Sequence, residues 1–597
     1  MTPPTEDTDR EREGEPENAA DLLSMERRRL LQATGAGLGG LSLVGFGGDV
    51  ATAASDCADG PFERTYSGAT VNTGEIRADQ ARSGTPDDVS AATPKGAATT
   101  RSGRQPPRKA AQESNVGEEG PLSVHAEYDG VGAAETRGGV PSDSQVAAGS
   151  GHVVHALNQQ VAFFDKRAGV RQHMFDLERL WEPVIPEPEG GFAYGYPFVF
   201  DPRARYDRAA DRFVLCAVQY EPGITTDGEL VDREEMEEGA EPGEEGGSGD
   251  TAAETQLRRP PRGWWMIAVS ATSNPNGNWH VYRVPPLDNE GLVDYPALGL
   301  DRDAVYLTQN FFGDNFEVTM ATLDKAALYA GEDVTAHHFT KMNNPDADAP
   351  FTFTAQPALQ PFSGGSSGRF YLVNSGFDSS ALTLWELTDP VSDPSLTCHT
   401  VEVGPYSYPP AARQPGTDAL VDTLGTRLMN ADYDDGSLWT AHSVLYDWNG
   451  DGTPVAAVRW YEIDVETKTL VQSGVYGAPG TSYFIPTVGA DDGRTVLAHN
   501  VSGPETYPRM DVAGRTADFP RGRLEDSVVV QEGESSYDYG EGSTVMRWGD
   551  YNGVSVDPLS GRFWTVAQYS PDVEVPPSAE RRDPYATRIA EVDFDGE

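Results

Sequence analysis

A heptad with an apolar centre and a polar end recurs seven times along the chain: HVVHALN from His152, FVLCAVQ from Phe213, AVYLTQN from Ala304, RFYLVNS from Arg369, SLWTAHS from Ser437, RTVLAHN from Arg494 and RFWTVAQ from Arg562. The interval is about 60 residues, apart from a wider one between Phe213 and Ala304, which makes this an array of repeated β units. Asp/Gly-type turns precede six of the heptads: AAGSG at 147–151, YDRAAD at 206–211, LDRD at 300–303, DYDDG at 432–436, ADDG at 490–493 and VDPLSG at 556–561. Short apolar strands such as PALGL at 296–300 and GVSV at 553–556 run into these turns. Apolar strand, tight turn, apolar strand is a β-hairpin. A third strand follows, as in VAFFDK at 161–166 or VRWYEI at 458–463, and several units show a fourth, such as NWHVYRV at 278–284. Four antiparallel strands in each of seven units, with little helical periodicity, predict an all-β fold, a seven-bladed β-propeller. The last unit runs out of chain after its third strand, at Phe594. SVHAEYDG at 123–130 is expected to supply the missing strand, closing the ring and removing an exposed edge.

In such a ring the starts of first strands and the ends of second strands meet around one mouth of the central channel. The heptads end in Asn158, Gln219, Gln309 with Asn310, Asn374 with Ser375, His442, His499 with Asn500, and Gln568, a ring of donors and acceptors. First strands add Asp143, Asp294, Tyr295, Gln356, Asn430, Asp550 and Tyr551. Asp143, Asn158, Tyr295, Gln309, Asn310, Gln356, Asn374, Asn430, His442, His499, Asn500 and Gln568 are therefore candidates to bind a ligand; the competing reading is that they satisfy neighbouring blades or channel water. Asp550 and Asp294 could form a carboxylate pair for glycoside cleavage, with Tyr551 and Glu462 as further acid–base or nucleophile candidates. The two histidines would need another ligand such as Asp550 to hold a metal. Asp447-Trp448-Asn449-Gly450-Asp451-Gly452 carries oxygen ligands at Asp447, Asn449 and Asp451 as calcium loops do, but Val458 stands where the bidentate glutamate belongs, so a plain turn fits equally. Trp264-Trp265 and Trp460-Tyr461 lie in third strands and read as blade packing rather than a sugar platform.

Upstream, MERRRLLQATGAGLGGLSLVGFGG joins Arg27 and Arg28 to a short Gly-rich apolar stretch followed by Ala-Thr-Ala at 51–53, the pattern of a twin-arginine export signal within residues 1–54. The stretch falls short of the roughly 20 residues of a membrane span. Residues 55–120 have the composition of a disordered linker, the propeller occupies 121–597, and an acidic insertion at 221–262 explains the wide interval. Net charge is −49, from 94 acidic and 45 basic side chains, with no basic stripe to receive nucleic acid or an anionic membrane. Carboxylates spread through the array suggest adaptation to high salt, where screening acts over about 3 Å at 1 M. Only Cys57, Cys216 and Cys398 occur, too few for a disulfide framework or a CxxC metal site. Cys216 reads as a buried core residue, Cys216 and Cys398 fall in different blades and are not expected to bridge, and Asp56 argues against a lipid anchor on Cys57.

The strings PSDSQVAAGSGHVVHALN, DPRARYDRAADRFVL, VSATSNPNGNW, DYPALGLDRDAVYLT, VRWYEID and RWGDYNGVSVDPLSGRFWTVAQY, in that order, resemble a family of secreted bacterial and archaeal propeller-like proteins over residues 135 to 597. The resemblance implies fold and export; its members have no assigned activity. Sialidases share a similar architecture, but their repeated SxDxGxTW turn motif is missing here. The expectation is an exported, salt-adapted propeller that binds an extracellular small molecule, glycan or surface polymer at the channel mouth. A glycan-active hydrolase and a structural surface protein are the alternatives.

Overall fold

The computed structural model describes residues 57–76, 122–136, 141–186, 198–221, 223–225, 230–231, 257–287, 290–313, 315–345, 352–362, 368–538, 544–572 and 585–594. The export signal lies outside them. Seven antiparallel four-stranded blades carry the fold, and each heptad forms the second strand of one. Blade 1 runs Gln145–Ala148, His152–Leu157, Gln160–Asp165 and Val170–Asp176. The inner strands of blades 2 to 7 are Phe198–Asp207, Leu292–Leu300, Gln356–Leu359, Ala431–Asp434, Ser482–Asp491 and Gly553–Val556. These strands pack on one another in a cycle, with blade 7 returning to blade 1, so the architecture is a β-propeller. The final blade takes its outer strand from the N-terminal side: Leu122–Asp129 pairs with Ala586–Phe594.

Two devices join the blades at the face opposite the mouth. The hairpin aspartates of the sequence turns cap their own turns, Asp207 accepting from Ala209 and Ala210 N–H and Asp557 from Leu559 and Ser560 N–H. The same carboxylates then receive a lysine from the next blade, Lys325 on Asp207 at 2.5 Å and Lys166 on Asp557 at 2.8 Å, both nearly buried. The second of these pairs bridges blades 1 and 7. Between the blades lie the apolar heptad centres and the third-strand aromatics; Trp265 is fully buried and its indole N–H reaches Thr308 O of blade 3.

Three features differ from the sequence reading. Residues 57–76, expected within a disordered linker, add strands: Asp59–Tyr66 pairs with the outer edge of blade 3 and Ala69–Asn72 with that of blade 2. Composition argued that this stretch cannot bury a core of its own. It need not, because a sheet edge offers a ready row of backbone partners to any extended segment. Cys57 is disulfide-bonded to Cys398 on the outer strand of blade 4, so this strap is covalently fastened, and a disulfide exists where none was expected. Proximity in the ring, not sequence spacing, makes that pair. Finally, the ends of the acidic insertion form a small sheet from Gly223–Thr225, Leu230–Val231 and Leu257–Arg259; residues 232–256 lie outside the described residues. Cys216 is buried and free, and burial pushes its thiol up to about 12.

Candidate functional site at the channel mouth

The inner strands enter the ring through a repeated kink. Asp143, Asp201, Tyr295, Thr354 and Ile485 all have left-handed backbone, with φ of 48°, 54°, 50°, 57° and 50°, and none is glycine. They stand at the mouth ends of blades 1, 2, 3, 4 and 6; in blades 2, 3 and 6 a register shift of the inner strand falls at the same point. Each such residue costs about 1–2 kcal/mol, most for β-branched Thr354 and Ile485. Strain of this kind persists only where the surroundings over-determine it.

The surroundings here are polar heptad ends and, for Tyr295, an inner-strand aspartate of the neighbouring blade. Asp201 N–H donates to Asn158 Oδ1 of blade 1 at 2.7 Å, Tyr295 N–H to Asp201 Oδ2 of blade 2 at 3.0 Å, Thr354 N–H to Asn310 Oδ1 of blade 3 at 3.0 Å, and Ile485 N–H to Ser443 Oγ of blade 5 at 3.0 Å. The remaining seams use the same chemistry. Gln356 donates to Leu428 O and Ser375 to Thr426 O, Asn430 exchanges two bonds with Val488, Asn500 accepts from Asn552 and donates to Gln568 O, and Asp143 Oδ1 accepts Asp550 N–H at 2.6 Å. Asn374 accepts the Trp385 indole N–H inside blade 4, and Gln568 accepts from Ser142. Gln309 is buried with neither amide atom bonded. The twelve residues expected to face a ligand thus converge on one face, but they are buried and, Gln309 and His499 apart, turned to one another across and within blades. The reading in which polar ends satisfy neighbouring blades describes them.

The histidines are equally committed. His442 Nδ1 meets Thr426 O at 2.6 Å and Nε2 meets Tyr461 OH at 2.9 Å; full burial lowers its pKa to about 3, leaving the ring neutral. His499 sits between Tyr476 and Tyr483, lowered by burial to about 4. Among the described residues no group of three or more His, Cys, Asp or Glu side chains could hold a metal ion. In the calcium-like loop Asp447 accepts N–H groups from Gly450, Asp451 and Gly452, while Asp451 accepts from Thr453. Asp447 and Asp451 thus each hold backbone amides of their own loop. Glu462 is misplaced for catalysis at the mouth: it lies opposite Trp439 near the start of a second strand and accepts from Ser437 and Gln472.

What sequence reasoning missed is arginine. Arg203, on the inner strand of blade 2, lies 3.3 Å over the Tyr551 ring and 4.9 Å from that of Tyr295; its Nε donates to Pro296 O at 2.7 Å. Arg427, in the segment entering blade 5, lies 4.9 Å from the opposite partners Tyr295 and Phe353. Arg547 pairs with Asp550 at 2.7 Å. Tyr295 and Tyr551 meet edge to face, and their hydroxyls donate to Asp550 O and Pro202 O. Burial pushes Tyr295 up to about 12 and Tyr551 well above its ordinary value, so both remain neutral donors. Asp294 is buried beside Tyr295 at 3% exposure. The signal available in the sequence was an arginine inside an otherwise apolar run, as in GTRLMN, at the approach to an inner strand.

No family model matches the chain, and no curated protein matches it. Among solved structures, the chain is similar over 79% of its length to the crystal structure of RRP9 WD40 repeats, of which 99% is covered, at 10% identity and a TM-score of 0.36. It is similar over 79% to the Dos1 propeller, covering 95% of that chain at 8% identity and a TM-score of 0.34. The NanB sialidase from streptococcus pneumoniae is matched over 78% of this chain and 70% of its own at 9% identity and a TM-score of 0.33. The propeller assignment rests on the strand order above.

Proposed function

We propose that the chain is an exported, salt-adapted propeller that binds an extracellular glycan or surface polymer at the channel mouth, without turning it over. The observation that carries this reading is the ring of left-handed, non-glycine residues: five strained positions at equivalent points of five blades gather at one face, and strain of this kind gathers at binding and catalytic sites. Binding is favoured over hydrolysis by the state of the acid–base candidates. Asp550 is engaged by Arg547, Tyr551 is neutral and sealed beneath Arg203, and Glu462 stands at the far end of its blade. Export is supported by the twin-arginine motif at Arg27 and Arg28, and salt adaptation by the net charge of −49.

A glycan array and a panel of chromogenic glycosides, both run at molar KCl, test the reading together. Retention of glycans without turnover, lost on Tyr295→Ala, is the expected result. Turnover that Asp550→Ala abolishes would replace binding with hydrolysis, and no retention of any glycan would remove the mouth as a glycan site.

A further inference from the structure

Arginine 427 is nine-tenths buried, at 6% exposure, and among the described residues has no hydrogen-bond or ion-pair partner; its contacts are the faces of Tyr295 and Phe353. Arg203, also 4.9 Å from the Tyr295 ring, has its Nη2 buried without an acceptor, while its Nε donates to Pro296 O. Burying an unpaired guanidinium costs several kcal/mol, and cation–π contact returns only part of it. Arg203 is partly compensated by its bond to Pro296 O, so Arg427 is the group left for an anion supplied from outside. Arg203 is sealed at 1% exposure, whereas Arg427 keeps a little accessible surface, so Arg427 is the group an incoming anion meets.

Arg427 is also held in place from both sides. Thr426 O accepts from Ser375 and His442, Thr426 Oγ1 donates to Phe377 O and Gly376 O, and Leu428 O accepts from Gln356. The polar heptad ends of blades 4 and 5 thus fix the backbone flanking Arg427 and leave only its side chain unspent. We propose that the mouth recognises a carboxylate-bearing sugar, a uronic-acid unit, with Arg427 as the carboxylate receptor and Tyr295, Phe353 and Phe377 as the apolar wall beside it. The planar fork of a guanidinium matches a carboxylate, and the Phe353 and Phe377 rings, 5.2 Å apart and tilted by 45°, add apolar surface beside it.

This inference rests on the glycan-binding reading, and the experiment separates the two. Melting of the full chain is followed at molar KCl with sodium glucuronate, with the methyl ester of glucuronic acid and with glucose, and the glycan array is repeated with Arg427→Gln and Arg427→Lys. Glucuronate should raise the melting temperature of the wild type while the ester and glucose do not; Arg427→Gln should abolish the shift, and Arg427→Lys should weaken binding about tenfold by losing the fork geometry. Equal shifts from acid, ester and glucose would overturn the carboxylate assignment and leave glycan binding standing. If no acidic sugar shifts the wild type and no array glycan is retained, both fall. The comparison of acid with ester on the wild type decides the matter even if a variant fails to fold.

Discussion

Asn310 and Gln309 are neighbours at the same point of the third heptad, both buried, and the structure gives them opposite roles. Asn310 Oδ1 accepts Thr354 N–H at 3.0 Å and its Nδ2 donates to Thr354 Oγ1 at 2.9 Å, across the seam between blades 3 and 4. Gln309 bonds nothing. Replacing Asn310 by leucine strands two buried polar atoms of Thr354, each costing about 1–3 kcal/mol, and removes the bond that holds its φ at 57°. A loss of about 3–5 kcal/mol is expected, against a total stability usually about 5–15 kcal/mol. Gln309→Leu should cost less than about 1 kcal/mol or stabilise, since it swaps two unsatisfied polar atoms for apolar ones. Urea unfolding at constant molar KCl, read from the buried tryptophans, gives both values, with unchanged m reporting an unchanged folded state. If the two leucine variants lose the same amount, the polar heptad ends are not blade latches and the description of the mouth fails.

Further expectations follow from the strap, the buried acids and the seam of the ring. Cys398→Ser should lower stability by about 2–5 kcal/mol in calorimetry, because the bridge closes a sequence separation of 341 residues, and should expose the segment 57–76 to trypsin; unchanged melting and proteolysis would refute a role for the strap. Burial raises Asp432 from 3.8 to about 7, so its neutral form is the one the fold prefers: that contribution is whole below pH 4 and is lost as pH rises through 7. Asp432→Asn should therefore gain on the wild type between pH 4 and 7, by roughly 2–4 kcal/mol, and the gap should be level above pH 7; a gap independent of pH contradicts the assignment. Lys166→Met should cost about 2–4 kcal/mol, because it leaves Asp557 at the blade 7–blade 1 seam without its cation; adding Asp557→Asn should recover part of this, and additive losses in the double-mutant cycle would argue against the pair.

The fold was largely legible because a repeat multiplies weak signals. No single heptad separates strand from helix, but seven apolar centres at a near-constant interval, each led by a turn, leave little besides a ring of hairpins. The closing strand was readable because the seventh repeat shows three strands and a strand-like segment, SVHAEYDG at 123–130, stands before the first. The site was legible in place and not in role: a sequence records that Asn158, Asn310 and Asn500 are polar at equivalent positions, but whether an amide faces solvent or the next blade depends on the kink of a neighbouring inner strand. The left-handed conformations of Thr354 and Ile485 have no local signature, being held by contacts from another blade. Arg203 and Arg427 carry no signal in the repeat, because neither stands in a recurring heptad. The Cys57–Cys398 bridge carries none either, since its partners meet only once the strap crosses blades 2 and 3.

Amide hydrogen exchange at Asp201, Tyr295, Thr354 and Ile485 tests the central claim most directly, because heptad ends hold three of these N–H groups and Asp201 of the neighbouring blade holds that of Tyr295. Although they sit at the entrances of strands beside a channel mouth, they should exchange only through unfolding of the whole ring, as slowly as the centres of the inner strands. Exchange at the rate of the exposed turns would mean that the blades are not latched there, and that the mouth is a loose rim rather than a preorganised site.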